Sequence, residues 1–466
     1  MSADAPVNVS TPGASFYLPH TDPSPGTALS PVDWPQNKHL PKLFTPITIG
    51  KDAKMHFKNR QVDTSTYLRA DEPNLDPYSC EAEGPRAGCL TPWHHVHLGA
   101  FAVRGAAVVM VEATSVLPNG RISPQDSGLW NDTQRDALKP IFDFIRAQGA
   151  RPAIQLGHAG RKASTLAPWL DTSTIKPPLK SHIATPGAAQ GWTDVWGPSA
   201  IPYDAETYPH PIEMTEQNIQ ELKDAWKASV IRADQAGADI VEVHAAHGYL
   251  IHNFLSPLSN QRTDKYGGSL ENRMRLPLEL VEITRAVWPK NKPVFIRISG
   301  TDWHPDGETN DKGDYISWGV EQSKAFLAEC IKRGVDMMDV SSGGLFPGQQ
   351  IPIASMSPNA TIPISSVGLI TDGKQAEDIL EQNKADVVRP PPPFPRAKLA
   401  LSFPELIVCR GLVVSCNPQI TVAREFLRDA DLVFNWAMQL GCVVNVPVEY
   451  QRGWTRMMTK PEDKKH

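Results

Sequence analysis

The chain has 466 residues, 41% hydrophobic and 21% charged, with a net charge of −5. This is the composition of a globular protein of one large α/β domain or two ordinary ones, and it excludes the basic face of a nucleic-acid binder. No apolar run approaches the ~20 residues of a membrane span, and six cysteines with no CxxC pair indicate neither a zinc ribbon nor a disulfide framework.

The opening "MSADAPVNVSTPG" has no basic n-region, no apolar h-region and no early Arg, so a cytoplasmic protein is expected. Residues 1–40 are rich in Pro, Ser, Thr and Gly without periodicity and read as an extended arm ahead of a domain over 41–466. Then "AAVVMVEAT" (106–114) reads as a buried strand. "TQRDALKPIFDFIRAQG" (133–149) reads as a helix, with Leu138, Ile141, Phe142 and Ile145 on one face and a Gly stop. The strand "RPAIQLGH" (151–158), a Pro-rich loop and a helix over 215–237 follow. Next come the strand "ADIVEVHA" (238–245), a helix over 269–288 and the strand "PVFIRISG" (293–300). A helix over 315–334, strands over 335–344 and 363–371, a helix over 374–384 and the strand "ADVV" (385–388) complete the series. β and α alternate over more than 300 residues. The pattern predicts an α/β fold of the (β/α)8 TIM-barrel type. No GxGxxG follows the first strand, which disfavours a Rossmann unit.

In such barrels chemistry sits at the C-terminal ends of the strands. The unusual polar residues fall there: Ala113 and Thr114, Gln155 and His158, His244 and His247, Arg297, Ser341 and Ser342, Gly368, and Arg424 past the eighth strand. Arg297, buried in "FIRIS", needs an electron-rich partner or, in the plainer reading, a salt bridge to Glu242 or Asp339. Gly368 and Arg424 mark the usual phosphate corner of a barrel. Lys162 lies in a Gly-rich turn, where a solvated lysine is the ordinary case. "HAAHGYLIH" offers three histidines, His244, His247 and His252. Metal binding needs fixed geometry from three or four ligands, and the HExxH spacing is absent, so no metal is expected and His252 reads as structural.

"QLGHAGRKAS", "HAAHGYLIHNFLSPLSNQRTDKYGGSLENRMR", "VFIRIS", "SSVGLITDG" and "VPVEYQRGW" resemble the Old Yellow Enzyme family of FMN-dependent NAD(P)H:flavin oxidoreductases, in its double-His subgroup. The resemblance covers residues 40–456 with interruptions. It implies a barrel that binds FMN, takes electrons from NADPH or NADH, and passes hydride to the β-carbon of an activated alkene, an ene reductase acting on a small molecule. It implies that His244 and His247 bind the substrate's carbonyl oxygen and that Tyr249 protonates the α-carbon. Ala113, Gln155 and Arg297 are then flavin contacts, Gly368, Ala423 and Arg424 phosphate contacts, and Lys162 and Tyr78 substrate contacts. Arg452 matches an arginine that enters the neighbouring subunit's site, which implies a homodimer or higher homo-oligomer. Donors aimed at an enone oxygen stabilise the developing enolate, and a phenol beside a carbanion-like centre is an adequate acid.

Three stretches depart from the family pattern. "KNRQVDTSTYLRADEPNLDPYSCEAEG" replaces the usual first strand, "QVDTSTYLRA" lacks a buried-strand pattern, and Asp76 falls where the family has a flavin-facing Cys or Thr. "LFPGQQIPIASMSPNATIPI" (345–364) shows no helical period where a crossover helix is due. An atypical insert at 388–419 interrupts strand eight: removing Val388 to Gln419 leaves "ADVITVAREFLRD", which fits the family without a gap. Val codons begin GT and a Gln codon can end AG, so the insert reads as a retained intron or a faulty gene model. Two other readings stand beside the ene reductase. One is a biosynthetic flavin oxidoreductase acting on a secondary-metabolite intermediate; the other is a flavin-free, inactive relative.

Overall fold

The computed structural model describes residues 9–50, 55–64, 80–167, 170, 181–350, 364–366, 372–382, 420–422 and 429–458. Eight strands form one wholly parallel sheet: β1 (Gln61–Thr64), β2 (Val108–Ser115), β3 (Arg151–Gly157), β4 (Ile240–Ala245), β5 (Val294–Ser299), β6 (Met337–Ser341), β7 (Ile364–Ser366) and β8 (Ile420–Val422). Their order is β7-β6-β5-β4-β3-β2-β1-β8. The two end strands β7 and β8 also lie beside one another, although no ladder joins them among the described residues. β4 and β5 are buried at every position, as strands covered on both faces must be, and the Val/Ile content of "IVEVHA" and "VFIRIS" meets that demand.

Nine helices stand among the described residues: α1 (Pro92–Val103), α2 (Asp132–Ala147), α3 (Glu216–Ala236), α4 (Leu250–Leu255), α5 (Leu270–Val287), α6 (Val320–Lys332), α7 (Gly373–Glu381), α8 (Leu432–Gln439) and α9 (Gln451–Met458). Their limits have local causes. Asn131 and Gln134 close a capping box on α2, and Thr215 and Asn218 close one on α3, satisfying first-turn amides that would otherwise lack partners. Gly237, at φ 99°, ends α3 in the left-handed region. α2 buries the Leu138, Ile141, Phe142 and Ile145 face read from its periodicity. None of the described helices is long and apolar enough to cross a membrane.

Two readings change. Gln61–Thr64 is a strand: Val62, Asp63 and Thr64 register with Val108, Val109 and Met110, and Ile420–Val422 pair with Gln61–Asp63 on the other side. Its polarity concealed it, because backbone pairing on both edges fixes the segment whatever its side chains prefer. The helix expected from residue 315 begins at Val320. Tyr315 instead bridges Thr309, and Glu308 accepts the amides of Ile316 and Val320, through its carbonyl and its carboxylate respectively. α1, which shows little amphipathic pattern, has no counterpart in the sequence reading. It starts at a Thr-Pro pair in which Thr91 and His94 cap one another.

The N-terminal stretch ties to the far end of the chain. Asn37 Nδ2 donates to Leu29 O at 2.8 Å and to Val443 O at 2.7 Å. Asn59 Nδ2 donates to Gly26 O at 3.0 Å and Gly105 O at 2.9 Å. The 351–363 stretch, where a crossover helix is due, and the 388–419 insert lie outside the described residues.

Candidate active site

The β4–α4 turn carries the His244/His247/Tyr249 trio. His244 is the penultimate residue of β4 and Tyr249 caps α4. Between them His247 holds φ 60° and Gly248 φ 72°. A Cβ on Gly248 would meet the Gly344 carbonyl oxygen at 2.1 Å, so only glycine fits. The turn brings the His244 ring centre to 5.3 Å from His247 and 5.3 Å from Tyr249. His247 Nε2 hydrogen-bonds Ser341 Oγ at 2.7 Å. Ser299 Oγ accepts the His247 amide at 2.9 Å and donates to Gly343 O at 2.8 Å.

Burial dominates the electrostatics. It holds both imidazoles well below the ordinary 6.5, and the Arg297 guanidinium pushes them further in the same direction. They are therefore neutral near pH 7 and act as N–H donors, not as imidazolium acids.

Below the trio, sheet register sets Gln155 beside Glu242, and Arg297 beside both His244 and Asp339. Gln155 Nε2 donates to Glu242 Oε2 at 2.5 Å. Arg297 Nε lies 3.2 Å from Asp339 Oδ2 with both side chains buried. This is one of the two salt bridges anticipated for Arg297. The Glu242 carboxyl is pushed up by burial and by Asp339. Arg297 is thus balanced in charge but not in hydrogen bonds: Nη1 and Nη2 are buried without a partner among the described residues, as is Gln155 Oε1. Orphaned donors of this kind are costly. They fit an electron-rich, hydrogen-bonding ring edge such as that of a flavin.

A cavity of about 230 Å³, mouth included, lies against Ala113, Gly157, His244 and Tyr249. The structure thus gathers Ala113, Gln155, His244, His247, Tyr249, Lys162 and Arg297 at one end of the sheet. Lys162 is buried, with Nζ bonded to His247 O and Gly344 O and 4.1 Å from the Tyr203 ring centre. It is not a solvated loop residue. Arg452 is exposed on α9. Tyr78, Gly368, Ala423 and Arg424 lie outside the described residues.

His252 has the structural place read for it. Nδ1 accepts the Gly248 amide at 3.0 Å, and Nε2 lies 3.0 Å from Asp302 Oδ1. Asp302 Oδ2 in turn accepts from Ser256 Oγ and the Trp318 amide. Sequence reading missed Ser299 and Asp302, whose importance depends on contacts between distant strands. It also missed Arg121, whose only local signal is the "NGR" turn just past β2.

Comparison with known proteins decides the family. The family model of the NADH:flavin oxidoreductase / NADH oxidase family matches residues 42–394. The chain belongs to that family, which is the Old Yellow Enzyme family. Among relatives of this flavin oxidoreductase, NADH:flavin oxidoreductase FG08077 of Gibberella zeae is 40% identical over 82% of this chain and 87% of the relative. An NADPH dehydrogenase of Geobacillus thermodenitrificans is 36% identical over 81% of this chain and 92% of the relative. Morphinone reductase, 23% identical, superposes with a TM-score of 0.57 over 87% of this chain and 91% of that one, which supports the barrel fold. The oxidoreductase uses FMN, with NADH or NADPH as electron donor. The family match ends inside the Pro-rich segment, at residue 394.

Proposed function

We propose that this flavin oxidoreductase is an ene reductase for α,β-unsaturated carbonyl compounds. The observation that carries the reading is the buried trio: two neutral imidazoles and a phenol, ring centres 5.3 Å apart across His244, beside one cavity. His244 and His247 donate to the substrate's carbonyl oxygen, which makes the β-carbon electrophilic and stabilises the enolate as charge develops. Bound FMN, reduced by NADH or NADPH, supplies the hydride that the β-carbon accepts. Tyr249 delivers the proton to the α-carbon, so hydride and proton together saturate the C=C bond. Neutral imidazoles suit this role, because they leave the proton transfer to the phenol.

In this reading Ala113, Gln155 and Arg297 hold the ring, Gly368, Ala423 and Arg424 the phosphate, and Tyr78 and Lys162 border the substrate. Arg452, exposed on α9, reaches a neighbouring copy in a homodimer. The test is direct. Purified protein reduced anaerobically with NADPH or NADH should lose its absorbance near 450 nm. 2-Cyclohexenone should restore that absorbance and yield cyclohexanone. Flavin that is reduced but is reoxidised only by oxygen would overturn the enone reading. It would favour a different acceptor, such as a biosynthetic intermediate.

A further inference from the structure

The cavity beside His244 and Tyr249 has a second wall, and that wall is charged. Arg121, Ile122 and Asp126 line it, all from the loop after β2. Arg121 is 7% exposed. Its guanidinium is fixed by main-chain carbonyls: Nε donates to Pro118 O at 3.0 Å, and Nη1 donates to Ala82 O at 2.9 Å and Pro124 O at 2.5 Å. It also lies between two indoles, with Cζ 5.3 Å from the Trp130 ring centre and 5.0 Å from that of Trp192. Trp192 is itself anchored through Nε1 to Asn119 O at 3.1 Å. No hydrogen bond engages Nη2 among the described residues.

The nearby acid does not neutralise this group through an ion pair. Asp126 spends one oxygen on the Ile122 amide and the other on Ser123 Oγ, each at 2.7 Å. Burial pushes its carboxyl up to about 7, so near neutrality its charge is incomplete. Glu83 and the Cys80 thiol also face Arg121 electrostatically. Glu83 is exposed and its field is screened by water, while burial raises the Cys80 thiol well above its ordinary range and leaves it neutral. Among the described residues this buried guanidinium has an unspent donor and no ion-pair partner, an arrangement that is expensive to maintain without a ligand.

We propose that Arg121 is a specificity-determining residue and that the substrate is a small unsaturated carbonyl compound carrying a carboxylate, whose oxygen accepts from Arg121 Nη2. This rests on the ene-reductase reading, with His244 and His247 holding the carbonyl at the other side of the same cavity. With Nε and Nη1 committed, the fork offers one nitrogen. That suits one carboxylate oxygen better than the several acceptors of a phosphate.

The experiment compares 4-oxocyclohex-2-ene-1-carboxylate with its methyl ester and with 2-cyclohexenone on the full-length holoenzyme. A charge-assisted hydrogen bond from a buried donor should favour the acid over the ester by ~10-fold or more in kcat/KM, mostly through KM. Arg121→Gln should abolish that preference, bringing the acid-to-ester ratio of kcat/KM within the variant to ~1. If the variant does not fold, the wild-type ratio still decides: equal rates, or preference for the ester, would overturn the proposal. Isothermal titration of the oxidised holoenzyme with acid and with ester gives the same comparison without turnover. Failure to reduce any of the three compounds, with acid still bound more tightly than ester, would reject the ene-reductase reading but not the carboxylate site.

Discussion

The ammonium of Lys162 donates to the main-chain carbonyl of His247 at 3.0 Å and to that of Gly344 at 2.5 Å. With Ser299 on the His247 amide, this clamps both sides of a residue held at φ 60°, a conformation that costs ~1–3 kcal/mol for a non-glycine residue. Lys162→Met should therefore loosen the turn that aims His247. The expected result is a ~10-fold loss in kcat/KM for 2-cyclohexenone, with reduction of the flavin by NADPH little changed. Stopped-flow measurement of the two half-reactions separates them, and an equal loss in both would show that Lys162 acts on the flavin instead.

In the proposed ene-reductase reading, Tyr249 supplies the proton through its hydroxyl. Tyr249→Phe keeps the buried ring beside His244 and removes the proton donor. Loss of a positioned acid costs ~10²–10⁴-fold, to be read in reoxidation of the reduced flavin by the enone. A loss below threefold would assign the proton to water or another group.

Gly248 tests the turn geometry. Its left-handed φ leaves no room for Ala, because the methyl carbon would fall 2.1 Å from the Gly344 carbonyl oxygen. Gly248→Ala should cost on the order of 2–4 kcal/mol of stability. Urea unfolding gives the number, and a midpoint unchanged from wild type would refute the packing described for this turn.

Buried histidines set an acid limit. Burial lowers His158 to about 3 and His97 to about 4, and it holds His244 and His247 well below 6.5. The unfolded chain therefore takes up these protons first. Their contribution to stability is complete above about 6.5 and is lost progressively as the pH falls toward the folded values. For His158 the loss is about 1.4 kcal/mol per pH unit within that window. Tm should fall steadily between pH 6.5 and 5. His158→Gln can still accept the Gly160 amide, now held by Nδ1 at 3.0 Å, and should make the slope shallower. An unchanged slope would mean that His158 is already protonated in the folded state.

The pairing of Ile420–Val422 with Gln61–Asp63 puts the sequence beyond the insert back into the sheet as β8. A chain lacking Val388–Gln419 joins "ADV" directly to that strand. It should fold with a higher Tm and bind FMN at least as tightly as the full chain. Sequencing the transcript is the companion measurement: a mature message that retains the insert would remove the intron explanation.

The sequence by itself determined the alternation of strands and helices, because continuous burial and 3.6-residue periodicity are written in local order: "IVEVHA", "VFIRIS" and the Leu138–Ile145 face are each legible without neighbours. It also identified the His244/His247/Tyr249 trio, since all three lie within six residues on one turn. It did not reveal β1, where polar "QVDT" is held by pairing on both edges. It narrowed the charge partner of Arg297 to Glu242 or Asp339, and sheet register with another strand decided for Asp339. Lys162 read as a solvated lysine from its turn alone and as a substrate contact from the resemblance; folding encloses it under two carbonyls from separate loops. Arg121 became a cavity wall only when Trp130 and Trp192, far apart in sequence, closed around it. Short-range spacing records which groups are present. Which buried charges and donors face one another is a long-range property, and only the tertiary structure sets it.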